Sequence, residues 1–186
     1  MLKRIFDFIF SIIIIISLIS IILLLSIVIK FTSEGPILYW SKRVGKNNKE
    51  FYMPKFRTMK IQTPAVATHL LKNPKDYITP LGAFLRKFSL DELPQFFNVL
   101  KGEMSIVGPR PLFTEDTKLF DSNYMRRLNV MPGITGLLQI NERNTSDFER
   151  WYKYDIEYIE NWSLFLDFKI IMKTPFSLFS SRSKGV

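Results

Sequence analysis

The 186-residue sequence predicts an α+β fold that is mostly helical, with a hydrophobic N-terminal helix, a small β-hairpin and amphipathic helices suited to a membrane interface. Three observations carry this. Phe8 to Ile29 is a run of 22 uncharged residues, almost all Ile, Leu, Phe and Val. Two short β-prone segments flank the polar turn Gly45-Lys-Asn-Asn-Lys49. Beyond residue 80, capping signals and apolar spacing suited to helices fill most of the chain.

As a helix the first run is about 33 Å long, close to the roughly 30 Å hydrocarbon core of a bilayer. It is too long for the apolar region of a signal peptide and lacks a small-x-small exit, and it has no polar face of the kind a buried helix in a soluble domain would show. It predicts a membrane segment over residues 1–30, followed by a catalytic or binding domain over 31–186. Spanning and re-entrant arrangements both remain open. A spanning helix keeps its basic flank on the cytoplasmic side, whereas here Lys3 and Arg4 precede the run and Lys30 follows it. Ser11, Ser17, Ser20 and Ser26 can bond back to the preceding turn and bend the helix. No Pro or Gly lies inside it as a strong breaker.

Ile37–Trp40 and Phe51–Thr58 read as the hairpin strands, with Pro54 weakening the second or placing it at an edge. Residues 61–79, with Pro64 and Pro74, read as a loop. Leu81–Phe88, Glu92–Leu100 and Glu115–Leu128 read as helices, and Ser146-Asp-Phe-Glu149 as a capping box opening a helix to about Asn161. Met131 to Gly136 reads as a tight turn, followed by a strand bearing Gln139, Asn141 and Arg143. Leu164–Lys173, extended by Phe176, Leu178 and Phe179, reads equally as an interfacial or a core helix.

Composition narrows the chemistry. With no Cys there is no disulfide framework, thiolate metal site or cysteine nucleophile, and with one His (His69) no multi-histidine metal centre. Carboxylates, Lys/Arg and a hard, oxygen-liking metal remain. The net charge of +9 calls for an anionic partner: phospholipid, a phosphorylated substrate or nucleic acid. No basic-aromatic nucleic-acid motif occurs, so the aromatic residues suit a core or membrane interface better.

Asp91 and Glu92 stand out, in Arg86-Lys-Phe-Ser-Leu-Asp-Glu-Leu-Pro-Gln95. Pro94 starts a helix near Asp91, where the dipole favours ionised acids. Adjacent carboxylates can hold a divalent metal that bridges a diphosphate, and a carboxylate can attack phosphorus. The same residues also read as a simple capping box, Ser89-x-x-Glu92. Lys55-Phe-Arg57, Arg86-Lys87 and Gly108-Pro-Arg110-Pro111 supply phosphate-binding cations or solvated surface charge. Asp167, in an apolar helix, pairs with Lys169 or serves a buried metal or Arg.

Taken in order, these residues resemble the bacterial sugar transferases, the monotopic phosphoglycosyl transferases. The match runs through Lys3-Arg-Ile-Phe-Asp7, Arg43-Val-Gly45, Lys55-Phe-Arg-Thr-Met59, the block from Leu85 to Pro111, Pro132-Gly-Ile-Thr-Gly136, Gln139, Asn161-Trp-Ser163 and Leu166-Asp167. It is similar to the short form of that family. The resemblance implies transfer of a sugar-1-phosphate from a UDP-sugar to polyprenyl (undecaprenyl) phosphate, releasing UMP through a phosphosugar-aspartyl intermediate on Asp91. It implies Mg²⁺ held by Glu92 with Asp91, and substrate contacts from Lys55, Arg57, Arg86, Arg110, Gln139, Arg143 and Asp167. It also implies a re-entrant helix with both flanks cytoplasmic, on the inner membrane of a bacterium. Oligomeric state is left open, a dimer included.

Four departures from the family pattern are visible. Ser17-Leu-Ile-Ser20 lacks the usual Ser-Pro break, Glu142 replaces a Gly between Asn141 and Arg143, and Ser41 and Pro54 stand where a Gln and an aromatic are common. The rival expectation from another class is a non-enzymatic, membrane-anchored basic protein that binds anionic lipid or nucleic acid.

Overall fold

The computed structural model describes residues 1–64, 71–118, 123–142, 145 and 147–179. Helix α1 (Leu2–Thr32) is continuous and about 46 Å long at 1.5 Å per residue. No break interrupts it, in keeping with the absence of Pro and Gly. Ser26 does bond back, its hydroxyl donating to the Ile22 carbonyl at 2.7 Å.

Both ends of α1 touch the same folded body. Near its start, Arg4 donates to the Val99 and Leu100 carbonyls, and the Ile106 amide donates to Asp7. Near its end, Leu25 and Ile29 are buried against Phe56, Leu85 and Leu93. Between them, Ile9, Ile13, Ile16, Ile19, Leu23, Leu24 and Ile27 are exposed.

Strands β1 (Leu38–Val44) and β2 (Glu50–Phe56) form the antiparallel hairpin, with Ser41 opposite Met53 at its centre. The first strand reaches four residues further than its sequence pattern indicates, because the turn begins only at Gly45. Asn47 and Asn48 take the left-handed backbone of that turn, a conformation Asn tolerates better than most residues. Pro54 sits inside β2 without penalty, since a two-stranded sheet has only edges.

The predicted loop 61–79 contains a short helix, α2 (Pro74–Tyr77); His69 lies outside the described residues. Helix α3 (Gly82–Lys87) follows as expected. The predicted helix over 92–100 divides into a 3₁₀ segment (Leu90–Gln95) and α4 (Phe96–Lys101), which ends at Gly102 with φ +85°. Glu115–Leu128 is not one helix: its described parts are 3₁₀ turns at Asp116–Lys118 and Tyr124–Asn129.

Strand β3 (Ser105–Val107) pairs in parallel with β4 (Gly133–Thr135). At that junction glycine is obligatory, since a Cβ on Gly133 would lie 2.1 Å from the Gly108 nitrogen. Gln139 and Asn141 lie on helix α5 (Leu137–Glu142) rather than on a strand. A six-residue apolar stretch has too little period to separate the two. Helix α6 (Phe148–Glu160) starts where the sequence places it, but its cap is Asp147, whose carboxylate accepts from the Glu149 and Arg150 amides; Ser146, the expected capping-box residue, lies outside the described residues. Helix α7 (Leu164–Phe179) runs on through Pro175.

Two apolar clusters share β2. Phe51 and Met53 join Val99, Met104, Ile106, Val107, Tyr158 and Ile170, while Phe56 joins the α1 end and Leu85. Along α7, Phe165, Phe168, Met172, Phe176 and Phe179 are exposed. Their spacing gives one apolar face, and with the exposed flank of α1 it makes this a membrane-associated protein.

Candidate active site

The 3₁₀ segment carrying Asp91 and Glu92 follows a residue that is hard to accommodate. Ser89 has φ +54° and ψ 22°, left-handed backbone that L residues other than Asn, Asp and Gly adopt at a cost of about 1–2 kcal/mol. Its side chain makes no capping bond, so the capping-box reading of Ser89-x-x-Glu92 is not realised. The kink instead turns the next residues inward against β2. Asp91 is buried, as are Leu93, Pro94 and Gln95, and the 3₁₀ turn closes on a bond from the Glu92 amide to the Ser89 carbonyl at 3.1 Å.

Cations gather on this turn from three directions. Lys55 reaches from β2 to Glu92 Oε1 at 2.6 Å, and Arg110 approaches the same oxygen at 3.9 Å from the loop after β3. Arg86, in the last turn of α3, adds a positive field at Asp91. Burial raises the Asp91 carboxyl above its ordinary value, and the adjacent Glu92 adds to this while Lys55 and Arg86 oppose it. A carboxylate whose desolvation outweighs the pull of nearby cations is a more basic oxygen nucleophile than a solvated one.

Glu92 and Arg110 line a narrow cleft with Arg43, Met53, Gln95 and Gly133. The Gln95 Nε2 is buried there without a hydrogen-bond partner. Arg43 is buried on β1, its Nε donating to Ser41 Oγ at 3.0 Å and its guanidinium 3.3 Å from the centre of the Phe113 ring. Burial, then the like charge of Arg110, pulls it down to about 9, which leaves it charged at neutral pH.

The other sequence-selected residues are placed differently. Arg57 donates to the Pro36 carbonyl at 2.8 Å, at the entry to the hairpin. Gln139 is buried behind Gly136 with its amide unpartnered. Arg143 lies outside the described residues. Asp167 is fully buried away from this cleft, where it pairs with Lys3 at 2.7 Å rather than with Lys169 or an Arg. Tyr158 and Trp162 complete its shell, at 2.7 and 3.3 Å. It ties α7 to the start of α1.

Arg43 and Gln95 line the cleft without belonging to the residues that the sequence selects, although the sequence carries a signal for Arg43. Arg43 falls two residues from Ser41, on the inward face of a strand whose other inward positions are small or apolar. A charge in that register requires a partner.

As to metal, no group of three His, Asp or Glu side chains that could hold an ion occurs among the described residues. The two adjacent carboxylates alone fit the habit of Mg²⁺, which takes one or two carboxylates and completes its shell with water and substrate phosphate.

The family model described as bacterial sugar transferase matches residues 1–181. The exopolysaccharide production protein ExoY of Rhizobium meliloti (strain 1021) is 38% identical over 94% of this chain and 84% of its own length. A UDP-glucose:undecaprenyl-phosphate glucose-1-phosphate transferase of Klebsiella pneumoniae is 41% identical over 97% of this chain. The undecaprenyl-phosphate galactose phosphotransferase of Salmonella typhimurium (strain LT2) is 40% identical over 93%. This chain spans only 41% and 39% of the lengths of those two. An enzyme of the transferase type, the chain belongs to the bacterial sugar transferase family.

Proposed function

We propose that this protein transfers a sugar-1-phosphate from a UDP-sugar to undecaprenyl phosphate, with Asp91 as the nucleophile. The observation that carries the reading is the buried Asp91 carboxyl beside Glu92, with Lys55, Arg86 and Arg110 converging on the pair. In the first step an Asp91 oxygen attacks the β-phosphorus. The bond from that phosphorus to the bridging oxygen breaks, and UMP leaves with the bridging oxygen. In the second step an oxygen of undecaprenyl phosphate attacks the same phosphorus. The aspartyl–phosphorus bond breaks, Asp91 is restored as a carboxylate, and the sugar is carried on an undecaprenyl diphosphate.

Each cation has a task in this scheme. Arg110, half-exposed at the cleft mouth, presents a planar fork to phosphate oxygens. Lys55 holds Glu92 in place and lowers the cost of a carboxylate beside Asp91. Mg²⁺ held by Glu92 and Asp91 would neutralise part of the diphosphate charge.

The reading of the membrane arrangement rests on α1. Its two ends pack on one polar body, so turning the helix to cross the bilayer would drag that body into hydrocarbon. We therefore read the protein as monotopic, with α1 and α7 seated in one leaflet and both basic flanks on the cytoplasmic face of the inner membrane. The sugar is left open, because the relatives' names differ between glucose and galactose.

The test is mass spectrometry of the intact protein incubated with Mg²⁺ and single UDP-sugars, without acceptor. One sugar of the panel is expected to give a phosphosugar adduct on Asp91 and one equivalent of UMP, and undecaprenyl phosphate to discharge it. UMP release that requires the acceptor, with no adduct at any time, would replace the covalent scheme by direct transfer.

A further inference from the structure

A second buried ion pair lies behind the cleft, and nothing in the scheme above uses it. Arg127 and Asp155 are each 3% exposed and meet at 3.0 Å as an ionic contact, in which Asp155 Oδ2 accepts no hydrogen bond. Arg127 comes from the 3₁₀ turn Tyr124–Asn129 and Asp155 from α6. A buried pair of this kind is seldom the most stable filling for its space, since apolar side chains of similar volume often do as well or better. What the pair grips is therefore informative. Arg127 Nη1 donates to the Tyr124 hydroxyl at 2.6 Å, and Nη2 donates to the main-chain carbonyl of Arg110 at 2.5 Å.

That carbonyl is one of four consecutive carbonyls held by other parts of the fold. The Pro109 carbonyl accepts from the Gly133 amide at 2.8 Å, and the Leu112 carbonyl from the Val44 amide at 3.0 Å. Between them, Arg127 takes the Arg110 carbonyl, and Arg43 takes the Pro111 carbonyl at a longer 3.4 Å. Pro109 and Pro111 have no N–H, which leaves this stretch only the Arg110 and Leu112 amides as main-chain donors. The bonds that hold it fall on its carbonyls, and the two central ones are held by buried guanidinium groups. The Arg110 side chain, 35% exposed, projects from this fixed backbone toward Glu92.

We propose that Arg127, aimed by Asp155 and Tyr124, is a positioning residue that fixes the backbone of Arg110 and so sets where its guanidinium meets the substrate phosphate. Arg43 does the same at the next residue. The proposal rests on the reading of Arg110 as a phosphate contact. A fork is needed at position 127 because one side chain must serve Asp155, the Tyr124 hydroxyl and a carbonyl at once. A lysine keeps the charge opposite Asp155 but cannot span those directions with fixed geometry.

The experiment uses the full chain in detergent or lipid and compares Arg127→Lys, Arg110→Lys and the double variant. It measures UMP release with a UDP-sugar and undecaprenyl phosphate, and amide hydrogen exchange of the peptide 107–114 against the hairpin peptide 50–56. We expect Arg127→Lys to melt near the parent temperature and lose roughly 10–100-fold in kcat/KM, the scale set by displacing a reacting group by about 1 Å. The double variant should be no slower than Arg110→Lys by more than about twofold, because residues acting through one another are not additive. Exchange should accelerate in 107–114 and not in 50–56. Asp155→Asn, which leaves Arg127 present but no longer aimed, serves if the lysine variant does not fold, and should show the same pattern at smaller size.

Unchanged exchange in 107–114, or losses that multiply in the double variant, would overturn the proposal. A parent enzyme that releases no UMP, or an Arg110→Lys variant of full activity, would instead sink the reading of Arg110. In that event accelerated exchange confined to 107–114 supports the grip on this loop, and its absence refutes it.

Discussion

Asp91 and Asp167 are both buried aspartates with a lysine and other polar groups near, yet their surroundings differ in kind. Asp167 is saturated. Lys3 lies at 2.7 Å, Tyr158 at 2.7 Å and Trp162 at 3.3 Å, and nothing is left for a substrate to take. The Tyr158 hydroxyl also lies 3.0 Å from the Val107 carbonyl, so the network ties α1, α6, α7 and β3 together. Asp91 is desolvated on a strained turn, with Lys55 and Arg86 acting on it as charges through space and Lys55 itself bonded to Glu92. A satisfied buried carboxylate locks a fold. One whose burial outweighs its compensation has a raised pKa and free energy in reserve for chemistry.

This contrast can be broken by exchanging the two effects. Asp91→Asn should lower UMP release on the order of 10⁴-fold or more, as loss of a nucleophile does elsewhere, while leaving the melting temperature unchanged or higher. Equal losses of activity and stability there would erase the distinction. Asp167→Ala should do the reverse. It leaves Lys3 with Asp7 alone, at 3.2 Å, and should destabilise by about 2–4 kcal/mol, below the full cost of breaking a buried pair because Lys3 keeps that partner and is 22% exposed. The folded fraction should keep its activity, as read by thermal denaturation beside active-site titration with the adduct assay.

Smaller effects sharpen the comparison. Glu92→Gln should raise the Mg²⁺ needed for half-maximal rate by roughly tenfold, the cost of one charged ligand (~1.4 kcal/mol). An unchanged Mg²⁺ response would leave Glu92 as a partner for Lys55 only. The acid limb of kcat/KM should fall above the ordinary aspartate value of 3.8, because the raised Asp91 carboxyl must ionise to attack.

The smallest effect concerns Asp155, whose burial raises its carboxyl from 3.8 to about 6 against the opposing pull of Arg127. The folded state then holds this proton more tightly than the unfolded chain does. Its contribution to stability is full below 3.8 and is lost as pH rises through about 6. Denaturant titrations of the parent should show that loss relative to Asp155→Asn, which lacks the group.

Local chemistry made much of this molecule legible. The membrane helix, the hairpin about Gly45 and the helices ending at Lys87 and beginning at Phe148 announce themselves by composition, turn residues and caps. The cluster of Lys55, Glu92 and Arg110 was visible as an ordered set of motifs, and the fold brings it within 4 Å. Other features were not legible for physical reasons. Ser89 has a left-handed backbone that its side chain does not signal, so the capping box suggested a regular helix where a 3₁₀ turn stands. Gln139 sits in a segment too short for periodicity to tell helix from strand. Asp167 lies two residues from Lys169 and 164 from Lys3, and charge pairing across that separation leaves no local trace.

The sequence by itself determined the class of chemistry. Without Cys and with one His, a phosphate-handling site had to be made from Asp, Glu, Lys and Arg, and 22 uncharged residues required an apolar surround. Those are properties of residues, true in any conformation. Only the tertiary structure decided which carboxylate is saturated, which arginine reaches Glu92 and which hold its backbone, and that both ends of α1 rest on one body. Each of these depends on groups distant in the chain meeting at about 3 Å, a range at which hydrogen bonds and desolvation act and about which sequence neighbours carry little information.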